Sequence, residues 1–478
     1  MTAKVLAVLG TMSSVGKSLL TAIISYHFAK KGLKVSPFKA QNMSLNAFAT
    51  TEGEMAYAQV FQAWAAGRKP SVKMNPLLLK PLGNMTSEII FLGKTQGILP
   101  SGKFQKFKAG FKKQVFSVFE DILAENDLVV IEGAGGLAEL NLLKNDFVNY
   151  EIVSRYQIPF LLVGDIDRGG IFAQIWGTYE LVPELKPLSV GFAINKFRGA
   201  PELFEDGIKI LEHKTQKPCL GLLPFLTLKL FEEDSASLGL PNQKFSSGPE
   251  KLKIAVVYYP HISNYLDFDP LKFEPDVEVI LTAEPQELLK AHVIILPGSK
   301  NTMASLNFLR EKGLSETIKS LSRQKILIGL CGGFQILGQK ISDEGVENLG
   351  EVPGLALLPH ETRFFRPKIA TAQEITLNWP FFQGNLKGFE IRYGRSFLGG
   401  QEISHLFKEN IFGSYLHGIF YEDDFRHAFL SYVRDLFGFE PRPKTFFHEF
   451  VQQQITKICK DYAFKRFLSR LEKALFIP

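Results

Sequence analysis

The strongest constraint on the fold lies at the N-terminus, where the apolar run Val5-Leu6-Ala7-Val8-Leu9 enters Gly10-Thr11-Met12-Ser13-Ser14-Val15-Gly16-Lys17-Ser18 and then the apolar stretch Leu19-Leu20-Thr21-Ala22-Ile23-Ile24. A short apolar run, a glycine-framed loop and a longer apolar run read as strand, turn and helix, the opening unit of a parallel sheet. The loop also carries chemistry. Its backbone NH groups and the helix N-terminus suit a polyphosphate, Lys17 adds positive charge, and the Ser18 hydroxyl can ligate magnesium. Gly10, Thr11, Ser14, Val15, Gly16, Lys17 and Ser18 are therefore the expected nucleotide contacts. Five residues, not four, separate Gly10 from Gly16, so the loop departs from the common Walker A spacing.

Further apolar, β-rich runs at 33–38, 127–131, 159–163, 188–194 and 218–223 alternate with helical patterns, which predicts a mostly parallel sheet covered on both faces. Ligands in such sheets sit beyond the strand C-termini. Glu132, with Gly133, Gly135 and Gly136 behind it, and Asp165, within Asp165-Ile166-Asp167-Arg168-Gly169-Gly170, both follow such runs. Ser18, Glu132 and Asp165 are the candidate magnesium ligands. Lys39 is expected at the same crevice, and Asn195-Lys196 against a purine edge.

A polar, proline- and glycine-containing stretch at 241–250 reads as a linker. A second alternating series begins at Lys253-Ile254-Ala255-Val256-Val257 and continues through His292-Val293-Ile294-Ile295-Leu296 to Lys325-Ile326-Leu327-Ile328-Gly329-Leu330. That last run ends in Cys331-Gly332-Gly333-Phe334-Gln335, a cysteine on a sharp strand-to-helix turn, where a nucleophile belongs. The sequence-distant Gly413-Ser414-Tyr415-Leu416-His417-Gly418 supplies a glycine-flanked histidine as its base. From about Lys444 onward, Phe450, Ile455, Ile458, Phe464, Phe467, Leu468 and Leu471 recur at helical spacing, predicting an amphipathic tail. The expected organisation is a nucleotide-binding α/β domain at 1–240, the linker, a thiol-bearing α/β domain at 251–440 and a helical tail at 441–478.

Composition narrows the partners. Lys plus Arg of 55 against Asp plus Glu of 49 gives +6, which favours acidic small ligands and is too small and dispersed for nucleic acid. Three cysteines without CxxC spacing argue against a disulfide framework or zinc ribbon and fit a reducing cytoplasm. No run is long enough to span a membrane, and no signal peptide is read. The basic and aromatic stretch from Lys103 to Lys113 reads as an amphipathic surface helix. His448-Glu449 begins a zinc motif that Gln452 breaks. Cys219 and Cys459 read as core residues.

Taken in order, Lys39-Ala40-Gln41-Asn42-Met43-Ser44-Leu45-Asn46, Met74-Asn75-Pro76, Glu132-Gly133-Ala134-Gly135, Asp165-Ile166-Asp167-Arg168-Gly169-Gly170, Asn195-Lys196-Phe197-Arg198-Gly199, Pro297-Gly298-Ser299-Lys300-Asn301-Thr302 and the Cys331 and His417 loops resemble the cobyric acid synthases, glutamine-hydrolysing amidotransferases of cobalamin biosynthesis. The phosphate loop resembles that of dethiobiotin synthetase and its relatives. The resemblance covers nearly the whole chain and implies a dethiobiotin-synthetase-like ATPase domain joined to a class I glutaminase domain. It implies ATP- and magnesium-dependent amidation of the b, d, e and g carboxylates of adenosylcobyrinic acid a,c-diamide, with ammonia drawn from glutamine. Lys17 and Lys39 would stabilise the transferring phosphoryl group, Cys331 and His417 would hydrolyse glutamine, backbone NH groups of Gly332 and Ser299 would hold the oxyanion, and Gln335 would contact glutamine. The partners implied are ATP, glutamine and an acidic corrinoid, and a homo-oligomer is allowed. The catalytic parts are shared with cobyrinic acid a,c-diamide synthase, which stands as an alternative beside another polycarboxylate amidoligase. From another class stands a ParA/MinD-like switch ATPase.

Two positions depart from the pattern. Triad glutaminases commonly place an acid two residues after the histidine, where this chain has Ile419, so the base is expected to lack its usual orienting carboxylate. Arg392 follows Gly388-Phe389-Glu390-Ile391 where a histidine is expected, and it has no assigned role.

Overall fold

The computed structural model describes residues 3–83, 86–143, 146–226, 243–246, 251–260, 262–346 and 350–476. Most of the 241–250 linker therefore lies outside the described residues. The chain forms two compact units, one comprising Met1–Ser44, Met55–Leu228 and Val451–Pro478, the other Leu45–Glu54 and Lys229–Phe450. Both are α/β, but neither is one continuous stretch of sequence, unlike the expected 1–240 and 251–440 division. A short hairpin from the N-terminal part joins the second unit, and the tail returns to the first.

In the first unit six strands form a parallel sheet in the order Cys219–Pro224, Ser189–Phe197, Phe160–Asp165, Lys4–Gly10, Leu128–Glu132, Val35–Phe38. The phosphate-loop strand Lys4–Gly10 is central because its inner residues, Leu6 to Leu9, are wholly apolar and buried on both faces. The helices Lys17–Lys30, Ser101–Glu125 and Ile171–Leu181 belong to this unit, and Phe38, Phe119, Ile131, Phe160 and Ile175 share its core. The helix Ser101–Glu125 contains the basic and aromatic stretch; the side chains of 101–109 lie outside the described residues.

The tail consists of two helices, Phe447–Lys460 and Tyr462–Phe476, broken at Asp461. The Asp461 carboxylate accepts from Ala463 N at 2.9 Å and caps the second helix. Phe464, Phe467, Leu468 and Leu471, spaced along one face, are buried. Beneath them Gly221 is bare: a Cβ there would lie 3.0 Å from Phe467 Cβ. Arg470 donates to the carbonyl of Cys219 at 2.9 Å, which fixes the tail to the sheet's outermost strand.

The second unit holds a six-stranded sheet in the order Val277–Thr282, Leu252–Val257, Val293–Leu296, Ile326–Leu330, Ile411–Ser414, His405–Lys408, parallel except for its last strand. A long hairpin, Glu361–Trp379 with Phe382–Leu398, forms the body of a second sheet. The pairing of Leu330 with Ser414 ends two adjacent parallel strands together, and the loops that follow carry Cys331 and His417.

Candidate active sites

At the first site the loop wraps around its own lysine. Lys17 is buried, and its Nζ donates to the carbonyls of Met12 at 3.0 Å and Gly135 at 2.9 Å. Gly16 has φ +98°, and a Cβ there would sit 2.3 Å from the Asn195 amide, so the turn needs glycine. The Asn195 side chain donates to Val15 O at 2.8 Å, bracing the loop.

Glu132 ends its strand buried at 1% exposure, a placement that an unpaired carboxylate could not sustain. Its Oε1 accepts from Ser18 Oγ at 2.8 Å and pairs with Lys39 Nζ at 2.7 Å. Its Oε2 accepts from Gln59 Nε2 at 3.0 Å and Gln62 Nε2 at 2.5 Å. Asn42 in turn donates to Gln59 Oε1 at 2.8 Å. The structure thus brings Ser18, Lys39 and Glu132 together. Asp165 is engaged elsewhere: its oxygens accept from Lys196 Nζ at 2.8 Å and from Asp167 N at 2.9 Å. Lys196 also donates to Ser14 O.

Whether this cluster suits magnesium is a question of donor chemistry. A hydroxyl and a carboxylate oxygen are the hard ligands the ion takes. The Gln62 amide, whose Nε2 faces Glu132, also carries a buried oxygen with no hydrogen-bond partner among the described residues. The residues fit. Among the described residues no group of three or more His, Cys, Asp or Glu side chains forms a metal cluster of another kind.

The second site is built on a sharp turn. Cys331, between the strand Ile326–Leu330 and the helix Gly332–Leu337, has φ +50° and ψ −105°, a conformation that costs about 1–3 kcal/mol and is held by its surroundings. Cys331 N donates to Ser414 O at 2.8 Å, and a Cβ on Gly333 would fall 1.9 Å from Leu296 O. A Cβ on Gly332 would lie 2.7 Å from Ser299 N, so the backbones of Gly332 and Ser299 adjoin as expected of two oxyanion donors. Gln335 is buried, accepting from Thr302 Oγ1 at 2.8 Å and donating to the Tyr415 hydroxyl at 3.4 Å.

His417 does not lack an orienting acid. Its Nδ1 lies 2.6 Å from Asp267 Oδ2, while Gly418 N donates to Asp267 Oδ1 at 3.0 Å. Ile419, the position where the acid was sought, is fully buried in the apolar core. Burial alone would lower the His417 pKa; the Asp267 carboxylate on one side and the Cys331 sulfur in hydrogen-bonding reach on the other outweigh it and raise it to about 10. His417 is thus an imidazolium at neutral pH. Phe389 stacks on its ring at 5.3 Å and 20°.

Arg392 also finds a place. Its guanidinium pairs with Glu390 at 2.7 Å and Glu402 at 3.3 Å and covers the Tyr415 ring at 4.1 Å. Sequence reasoning missed Asp267, Gln59 and Gln62. Asp267 was signalled only by an acidic turn downstream of the strand Leu252–Val257, and the glutamines by polar positions in an otherwise apolar helix.

Comparison with known proteins is decisive at this point. Residues 6–234 match the CobQ/CobB/MinD/ParA nucleotide binding domain, and residues 253–425 the CobB/CobQ-like glutamine amidotransferase domain. A cobyric acid synthase of Thermodesulfovibrio yellowstonii is 41% identical over 92% of this chain and 92% of its own. The chain belongs to the cobyric acid synthase family. A member from Trichormus variabilis is 39% identical over 99% of this chain and 100% of its own, and one from Clostridium botulinum 40% identical over 94% and 95%. Coverage of this breadth takes in both domains, so the family's two halves are both present. Among the described residues no helix is long and apolar enough to cross a membrane.

Proposed function

We propose that the chain amidates the b, d, e and g carboxylates of adenosylcobyrinic acid a,c-diamide, using ATP and glutamine, to give adenosylcobyric acid in cobalamin biosynthesis. One observation carries this reading. The same chain holds a strained cysteine beside a His417–Asp267 pair and a phosphate loop whose Ser18 is bonded to Glu132.

A carboxylate resists attack by ammonia, so it must first be activated. Transfer of the ATP γ-phosphoryl group to it gives an acyl phosphate and ADP; ammonia attacks the carbonyl carbon and phosphate leaves. Lys17 and Lys39 would meet the charge on the transferring group, with the loop amides from Thr11 to Ser18 cradling the other phosphates. Magnesium held by Ser18 and Glu132 would neutralise phosphate charge when bound. Gln59 and Gln62 keep the Glu132 carboxylate oriented.

Ammonia comes from the second site. The Cys331 sulfur attacks the glutamine carboxamide carbon, and the oxygen that becomes an anion faces the Gly332 and Ser299 amides. His417 gives its proton to the leaving ammonia, leaving a thioester. Water then attacks with His417 as base, which breaks the thioester, releases glutamate, frees the Cys331 sulfur and returns His417 to the imidazolium. Asp267 fixes the imidazole tautomer throughout.

The reading takes ATP, glutamine and an acidic corrinoid as partners and the cytoplasm as the compartment, with no nucleic acid or membrane partner, and it allows a homo-oligomer. Mass spectrometry of the product formed from the a,c-diamide, ATP and glutamine tests the substrate assignment. Amidation at each of the b, d, e and g positions is expected. Turnover of unamidated cobyrinic acid to the a,c-diamide in its place would move the chain to the sister activity.

A further inference from the structure

The hairpin of strands Ala47–Thr50 and Gly53–Ala56 arises from the N-terminal part of the chain, yet residues 45–54 belong to the second unit. Its contacts there are specific. Phe48 lies 4.6 Å from Phe389, the ring stacked on His417. Phe389 and His417 are further tied by two backbone hydrogen bonds, His417 N to Phe389 O at 2.8 Å and Phe389 N to His417 O at 3.2 Å. Ala47 N donates to the Asn264 side chain at 3.1 Å. Asn264, at φ +52°, caps the tight turn Tyr265–Phe268 that carries Asp267, and its carbonyl accepts from Asp267 N at 3.0 Å. Glu54 and Lys368 form an ion pair of 2.8 Å with side chains 0% and 6% exposed, anchoring the returning strand.

We infer that this hairpin is a positioning element of the glutaminase: Phe48 backs His417 through Phe389, and Ala47 backs Asp267 through Asn264. The inference rests on the thiol and imidazole roles proposed above. It has a physical basis in how triads work. The imidazole must meet the sulfur and the leaving nitrogen within fractions of an ångström, and small misplacements of a base cost about 10²-fold. A ring stacked against one face and a carboxylate on Nδ1 leave His417 little freedom, and the hairpin presses on both. The Lys368–Glu54 pair explains why the hairpin stays: separating two buried charges is strongly unfavourable. The assignment also gives the hairpin's sequence position a meaning. It continues from the strand Gln41–Met43, whose Asn42 bonds Gln59, and leads into the helix that bears Gln59 and Gln62. The segment that supports the triad is therefore flanked in sequence, on both sides, by side chains holding Glu132.

The test is Phe48→Ala in the full-length protein, with Phe48→Leu as the conservative variant and glutamine or ammonium salt as nitrogen source. Phe48→Ala should lower glutamine-dependent turnover about tenfold, leave KM for glutamine within about twofold, and leave ammonia-dependent synthesis at the wild-type rate. The pH profile of Cys331 alkylation by iodoacetamide should shift, and Phe48→Leu should restore both readouts. Unchanged glutamine turnover and alkylation profile in Phe48→Ala would overturn the inference. So would an equal loss with both nitrogen sources, which marks a general folding role. Cys331→Ala, run alongside, separates the two levels. If it keeps glutamine-dependent synthesis, the thiol reading falls and the hairpin role with it; if it loses that activity while Phe48→Ala does not, the hairpin role alone is wrong.

Discussion

His417 Nδ1 stands 2.6 Å from Asp267 Oδ2 although 150 residues separate them, so the acid that orients the base comes from the opposite side of the domain's sequence. Removing it should have two effects. Asp267→Asn should cut glutamine-dependent amidation by about 10²- to 10⁴-fold, since the wrong imidazole tautomer is then favoured. It should also move the alkaline limb of glutaminase activity toward neutral pH. Burial lowers the His417 pKa, and the Asp267 carboxylate is the larger of the two groups that raise it, the other being the Cys331 sulfur; without the carboxylate burial weighs more and the proton is lost sooner. Rates measured from pH 6 to 10 check both.

The phosphate loop serves a step common to both nitrogen sources. Lys17→Ala should abolish amidation with glutamine and with ammonia alike. Glu132→Gln should do nearly the same and raise the magnesium concentration needed for half-maximal rate, readable also as weaker metal-dependent ATP binding by calorimetry. Near-normal product formation by Lys17→Ala would remove the loop from the mechanism.

The Gly332 position tests the oxyanion assignment. An added methyl would lie 2.7 Å from Ser299 N and 2.8 Å from Ser299 Cβ, closer than real contacts, so the 297–299 loop must withdraw. Gly332→Ala should lose about 10²- to 10³-fold in glutamine turnover while keeping ammonia-dependent synthesis.

A stability prediction comes from His360, fully buried beneath Gly338 with Nδ1 unpartnered. Burial depresses its pKa to about 4. The unfolded chain takes up this proton below about pH 6.5 while the folded chain resists until about pH 4, so its contribution is present above 6.5 and is lost as pH falls through that window. The loss is on the order of 3 kcal/mol. Thermal midpoints of wild type should fall more steeply between pH 6.5 and 4 than those of His360→Asn; parallel slopes would contradict the assignment.

The legible parts of this molecule were local in sequence. Strand, loop and helix at 5–24 are contiguous, and Cys331 is flanked by the glycines its turn requires, so spacing and residue type were enough. Lys39 and Glu132 could be placed because parallel strands present their C-termini together. Asp267 could not, because a triad acid has no fixed distance in sequence from its histidine, and a tight turn has no periodicity. Gln59 and Gln62 are polar positions in an otherwise apolar helix, and only the folded structure shows that their side chains meet Glu132. The hairpin at 47–56 and the returning tail were opaque for the same reason: which body a segment packs on is decided by tertiary burial, as Phe48 and Phe467 show, not by chain order.

The central claim is a division of labour, in which the thiol only liberates ammonia and the phosphate-loop domain activates the acceptor. The most direct measurement is product formation by Cys331→Ala with glutamine and, separately, with high ammonium salt. Glutamine-dependent synthesis should vanish, while ammonia-dependent synthesis should persist at close to the wild-type rate and rise with pH as free ammonia replaces ammonium. A folded Cys331→Ala protein that has lost both activities, or has kept both, would contradict the account.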